Sequence, residues 1–180
     1  MQPLDNFLPR LIPWVSGCPV PLAHQALVRS AAVFCDETNV IRTMVEPIDI
    51  IAGEPTYDVD LGMDLEVTRL LAAWLGTKQL ALPTANNGVS PLTNYSPLGP
   101  TAELKAGEPI GVRSIYANTV TLMPPPDESV TSKLTLLVAT RPKVSARQLD
   151  DALFDRWSEG IVAGAIGILA SMPGQPFSDI

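Results

Sequence analysis

Residues 145–180 read SARQLDDALFDRWSEGIVAGAIGILASMPGQPFSDI, and the pattern in this stretch decides the fold. Ser145 and Gln148 have the S-x-x-Q spacing of a capping box, which predicts a helix starting there. Asp150 and Asp151 fall in its first turns, where the helix dipole favours negative charge. Leu149, Leu153, Trp157 and Ile161 recur every four residues, and Ile168 and Met172 continue that face as it drifts. Burying this row contributes about 1.5–3 kcal/mol for each large side chain. A second face carries Gly160, Ala163, Gly164 and Gly167, which have too little side chain to cover a core. Each glycine inside a helix costs about 1 kcal/mol relative to alanine, so three between 160 and 167 imply close backbone approach to a neighbour. Pro173 and Gly174 end the helix at Met172 and leave a short tail reaching outward.

Composition limits what such a helix can belong to. The chain has 180 residues, enough for one domain with a sizeable core. Charged residues are 17% of it, against about 25% in an ordinary soluble domain. Mean hydropathy is +0.20. So little charge predicts that other subunits cover part of the surface. The net charge of −7 argues against a nucleic-acid-binding groove, which needs clustered Lys and Arg. The N-terminus lacks a basic region followed by an apolar run, and the longest apolar run, Gly160 to Met172, is too short to span a bilayer. The expectation is a soluble chain, intracellular when made, with no membrane partner. Cys18 and Cys35 lie in no C-x-x-C pattern and read as two buried free thiols.

Working outward, a helix is expected from Pro21 to Thr38, with Pro21 in its first turn. Its buried stripe is Leu22, Ala26, Leu27, Ala31 and Phe34, with Gln25, Arg29, Asp36 and Glu37 facing away. Before it, Pro9 and Pro13 restrict residues 4–15 to a short helical turn. From Ile41 the period becomes two, and Ile41–Ile51 and Thr56–Asp60 read as strands joined by a turn at Ala52-Gly53-Glu54-Pro55. Pro47 places the first of these at an edge or a bulge. Leu65 to Leu75 fits helix or strand, and Gly76-Thr77 favours a hairpin. A further hairpin runs from Val112 to Leu122, turning at Ala117-Asn118. Lys133–Thr140 is apolar on both faces, hence central or covered. The organisation is a single domain of class α+β, with N-terminal helices and a long C-terminal helix packed on an antiparallel sheet. Its parts are helical 1–40, strands 41–82, a long Pro/Gly/Asn-rich excursion 83–111, strands 112–141, helix 145–172 and tail 173–180. A loop as long as that excursion is usually functional.

Motifs for chemistry are lacking. His24, the lone histidine, has no carboxylate or nucleophile close in sequence. No G-x-S-x-G or phosphate loop occurs, and the glycines of the last helix follow no strand, as a dinucleotide fingerprint requires. Asp58, Asp60, Asp64 and Glu66 have the spacing of an oxygen-ligand calcium loop without the EF-hand pattern. A strand with a turn at Gly62 explains them as well. No catalytic residue, metal ligand or cofactor is assigned.

Several pieces, in order, carry a resemblance. They are FLPRLIPWVSGCPVPLAHQALVRSAAVFCDET, IDIIAGEPTYDVDL, VTLMPPPD, and the closing run R-W-x-E-x-I-x-x-G-A-x-x-x-L-x-x-M-P-G-x-P from Arg156 to Pro176. The chain resembles the head-to-tail adaptor (connector, neck) proteins of tailed bacteriophages, relatives of tail tubular protein A of short-tailed phages. The resemblance implies a non-enzymatic virion protein at the head–tail junction, assembled in the host cytoplasm. It implies a ring of about twelve copies under the capsid portal, extending the DNA channel and meeting a downstream tail or neck protein. Genomic DNA would pass through without specific binding. Gly160, Ala163, Gly164 and Gly167 are then the candidate subunit interface, and Gly164→Leu should weaken assembly more than folding. Met172, Pro173, Gly174, Gln175, Pro176, Phe177, Ser178, Asp179 and Ile180 match the family's portal-binding tail. Related chains often continue with another helix where this sequence stops. Two alternatives stay open: another neck or tail ring protein (a stopper or tail terminator), and a calcium-binding β module using Asp58, Asp60 and Asp64.

Overall fold

A computed structural model of the chain describes residues 1–82, 105–116 and 118–178. Most of the expected excursion (83–104), Ala117 of the expected turn, and Asp179 and Ile180 of the tail lie outside the described residues. The class is α+β, as expected. In chain order come β1 (Gln2–Pro3), a 3₁₀ turn (Leu4–Phe7), α1 (Leu8–Leu11), a second 3₁₀ turn (Ile12–Trp14) and α2 (Val20–Thr38). Then follow β2 (Arg42–Met44), β3 (Ile48–Ile50), β4 (Thr56–Asp58), β5 (Leu65–Leu75), β6 (Lys78–Gln79), β7 (Gly111–Tyr116) and β8 (Thr119–Met123). The chain closes with β9 (Val130–Pro142), β10 (Gln148–Leu149) and α3 (Asp151–Ala170). These elements form two compact units, one of Met1–Ile41, Gly62–Glu66 and Thr140–Ile180, the other of Arg42–Leu61 and Val67–Ala139.

In the helical unit, α2 starts behind the extended Pro19 with Pro21 in its first turn. It stops at Asn39, which takes the left-handed conformation (φ 48°) and donates its N–H to the Cys35 carbonyl at 2.8 Å. The start of α3 corrects the sequence reading. Ser145 is not the cap; the Asp150 carboxylate accepts from the Ala152 N–H at 2.8 Å and sets the first turn there. Residues 148–149 instead pair antiparallel with 2–3 as β10 against β1, which buries Leu149. That two-strand pairing needs an extended backbone where the capping-box reading puts helix.

Leu153 and Ile161 are buried as the four-residue spacing predicts, while Trp157 is exposed along one side and rests its ring 5.4 Å from Phe34. Phe7, Leu11, Leu27, Leu153, Ile161 and Leu169 are all closed off from solvent and form the heart of one core. The helices bury their apolar faces against one another there, a sharper division of labour than the sequence suggests. The N-terminal turns join them: Phe7 meets Phe154 edge-on at 5.0 Å, and the Arg10 guanidinium lies 5.2 Å over the Phe154 ring while donating to Ser158 Oγ. Pro9 and Pro13 fit because each sits in the first turn of a short helical segment, where no N–H is required.

The strand unit has its own core. One sheet has the order β2-β9-β5-β6, with β3 also pairing β9; a three-stranded sheet has the order β4-β8-β7. Strand β9 is central, as its two-faced apolar pattern requires, and Leu134, Leu136 and Val138 are closed off along one side of it. The expected first strand divides at Pro47 into β2 and β3, and the β3 register shifts between Ile48 and Ile50. The β5–β6 hairpin turns at Gly76 (φ 61°), which settles the helix-or-strand choice at 65–75 in favour of strand. Among the described residues no helix is long and apolar enough to cross a membrane.

Candidate functional site

The glycine face of α3 divides in two. A Cβ built on Gly160 or Gly167 would meet nothing within 4 Å, and these two with Ala163 are exposed. Gly164 differs, because a Cβ there would collide with the Ser30 Oγ of α2. Ser30 is buried, and its hydroxyl donates to the Ile161 carbonyl at 2.7 Å. The close approach that the glycines imply is therefore real, and at Gly164 the neighbour is this chain's own α2. A leucine at Gly164 would meet Ser30 of the same chain, so Gly164→Leu carries a folding cost of its own beside any effect on assembly. All four residues are exposed, and Gly164 is the glycine whose Cβ direction is closed by this chain's own α2, while those of Gly160 and Gly167 are open.

The tail also differs from its expected course. It does not simply reach outward: Phe177 is 4% exposed and belongs to the helical core. A phenyl ring gains more from burial than any other residue after Met172 could, and it draws the tail back onto the helices. The turn that allows this uses Gly174 (φ 73°) and is closed by the Ser178 N–H donating to the Gln175 carbonyl at 3.0 Å. Met172 packs against the same core, and Pro173 through Pro176 are exposed along the outside of the turn.

One concave surface was not foreseen. A groove of about 560 Å³ runs along the outward side of α2. Leu22, Ala26, Arg29 and Val33 line it from α2, and Ile168 and Met172 from the end of α3. Its far end is closed by Arg141, whose Nε donates to Glu66 at 2.6 Å and whose terminal nitrogen donates to Asp36 at 2.5 Å. The hydrogen bonds to Glu66 and then Asp36 hold the guanidinium pKa above its ordinary value. Beside that end, Met63 and Val144 are 89% and 88% exposed. Lys143 ties their loops together through its N–H to the Asp64 carbonyl (2.9 Å) and its ammonium to the Gly62 carbonyl (3.1 Å). Arg29 has no hydrogen-bond or ion-pair partner among the described residues. Leu22, Ala26, Arg29 and Val33 follow a 4-3-4 spacing, the signal that marks a second stripe on α2 beside the buried one.

The candidate chemistry is sparse. His24 Nε2 lies 3.1 Å from Asp5 Oδ1, an ion pair only when the imidazole is protonated, and no well-directed hydrogen bond joins them. Asp150 is spent on the helix cap, and Asp151 on the N-terminal amine at 2.7 Å, which holds its carboxyl below the usual range. Among the described residues no three His, Cys, Asp or Glu side chains gather as a metal site. Cys18 and Cys35 are free thiols; Cys35 is buried as expected, Cys18 only partly. A scan against protein-family models finds no match to this chain, and neither does a search of curated proteins.

Proposed function

We propose that this chain is a virion structural protein, a head-to-tail adaptor whose ring connects the capsid portal of a tailed bacteriophage to its tail. The observation that carries the reading is the ordered set of sequence pieces that resembles those adaptors, closing in the run from Arg156 to Pro176. The surfaces support it: a helix face of exposed small residues, Gly160, Ala163 and Gly167, and an apolar groove on α2 suit a protein whose work is contact. A net charge of −7 suits a channel wall past which DNA slides, because like charge discourages adhesion. The reading uses no cofactor and assigns no catalytic residue.

Incubating the purified chain with portal protein and imaging the particles tests it. A ring of density added to the portal, with one copy of this chain per portal subunit, is the expected result. Absence of portal binding overturns the reading, and binding to tail tube in its place assigns the chain to the tail terminators.

A further inference from the structure

The α2 groove and the turn between β3 and β4 have complementary chemistry. The turn Ile51-Ala52-Gly53-Glu54 carries an isoleucine that is 54% exposed, and a glutamate whose carboxylate has no hydrogen-bond or ion-pair partner among the described residues. It is also held rigid from several sides. The Ile51 N–H donates to the Tyr57 hydroxyl at 3.1 Å, and that hydroxyl donates to the Glu54 carbonyl at 2.6 Å. The Gly53 N–H donates to the Pro126 carbonyl at 2.7 Å, and the Ala52 N–H to Ser129 Oγ at 2.9 Å. A stiff turn that presents one apolar side chain and one carboxylate loses little entropy on docking. The groove offers the converse, apolar walls of Leu22, Ala26 and Val33 around the unpaired Arg29.

We propose that the groove of one copy receives the Ile51–Glu54 turn of a second copy, with Ile51 between Leu22, Ala26 and Val33 and Glu54 against Arg29. Groove and turn are different patches, so the contact is head-to-tail and repeats until rotation closes it. The proposal rests on the adaptor reading only in that the chain assembles with itself. Other exposed apolar side chains fit the groove less well. Trp14 has no acidic residue among its sequence neighbours, and Met63 lies in the Gly62–Glu66 segment of the same compact unit as the groove. Met44 lies in a strand rather than at a convex tip.

The test is sedimentation velocity of the full chain and of Arg29→Glu, Glu54→Arg and Ile51→Asp, together with portal images of each. All three positions are exposed or at the groove, and unchanged circular dichroism and melting confirm that the variants fold. Each single charge reversal is expected to weaken self-association by about tenfold or more. Combining the two reversals in one chain, or mixing the two single variants, is expected to restore it. Single variants that assemble like the wild type overturn the proposal, and if wild-type rings still form on portals the adaptor reading survives. Normal self-association with lost portal binding assigns the groove to the portal and likewise overturns it. A wild type that neither self-associates nor binds portal overturns both readings, whereas charge-swap rescue without portal binding upholds this contact alone.

Discussion

Gly164 and Ser30 meet across the α2–α3 contact with no space for a side chain between them. A Cβ on Gly164 would lie 3.4 Å from the Ser30 Cβ and nearer still to its Oγ. The hydroxyl can clear that position only by giving up its bond to the Ile161 carbonyl, which leaves a buried donor unsatisfied at about 1–3 kcal/mol. Alanine's better helix propensity returns about 1 kcal/mol.

Gly164→Ala is therefore expected to destabilise the chain by up to about 2 kcal/mol, while Gly160→Ala and Gly167→Ala, with open space around them, stabilise by up to about 1 kcal/mol each. Urea denaturation of the three variants checks the opposite signs. Ser30→Ala removes the colliding oxygen, so a double-mutant cycle with Gly164→Ala should show a coupling of about 1 kcal/mol. Equal effects at all three glycines would mean that Gly164 is not a helix–helix contact.

The cysteines differ in a way that reagents can read. Burial pushes the Cys35 thiol up to about 12, helped by the charges of Asp36 and Asp150, whereas Cys18 is raised by its partial burial alone. Native protein is expected to react with a thiol reagent once, at Cys18, and a second time only in denaturant. The raised Cys35 value also links to stability. The unfolded chain releases this proton near the ordinary thiol value of about 8.5 and the folded chain does not, so stability falls as pH rises from there toward 12, by about 1.4 kcal/mol per pH unit. Stability is unaffected by this group below that window. Cys35→Ala should flatten the alkaline loss in denaturation curves taken from neutral pH upward.

Phe177 makes the tail part of the core. Phe177→Ala is expected to cost about 3 kcal/mol, at the lower end of the range for buried phenylalanine because the ring closes an edge of the core. Truncation after Met172 should cost at least as much and open the helical unit to proteolysis. A truncated chain with an unchanged melting curve would show that the ring is dispensable.

These relationships mark where the sequence was legible. Local periodicity found α2, α3, the β5–β6 hairpin and the central β9, because each shows its burial within its own dozen residues. Whatever depended on distant partners was hidden. Ser145-x-x-Gln148 is a sound capping box in isolation, yet the strand pairing of Gln148 and Leu149 with residues 2–3 overrides it. The glycines announced a close approach, and the identity of the neighbour required bringing Ser30 to Ile161, 131 residues away. Phe177 after a Pro-Gly break reads as outward tail unless the opening it fills is known. The groove was missed for a different reason. Gln25, Arg29 and Asp36 give α2 a polar outward face in the sequence, which conceals the stripe of Leu22, Ala26 and Val33 beside it.

The Tyr57 hydroxyl holds the Ile51–Glu54 turn together. It accepts the Ile51 N–H at 3.1 Å, and its single proton goes to the Glu54 carbonyl at 2.6 Å in preference to the Ile51 carbonyl at 3.2 Å. Burial pushes the phenol pKa up, so the donor persists through neutral and mildly alkaline pH. Tyr57→Phe keeps the buried ring and removes both bonds, for an expected loss of about 1–2 kcal/mol. Hydrogen exchange separates a local effect from a global one, because the Ile51 amide should lose protection while the amides of β9 keep theirs. A turn that loosens also pays more entropy on docking, so Tyr57→Phe should weaken self-association with Ile51, Glu54 and Arg29 all intact. If the Ile51 amide exchanges at the wild-type rate, the hydroxyl does not hold the turn, and the rigidity that makes it a suitable knob has another source.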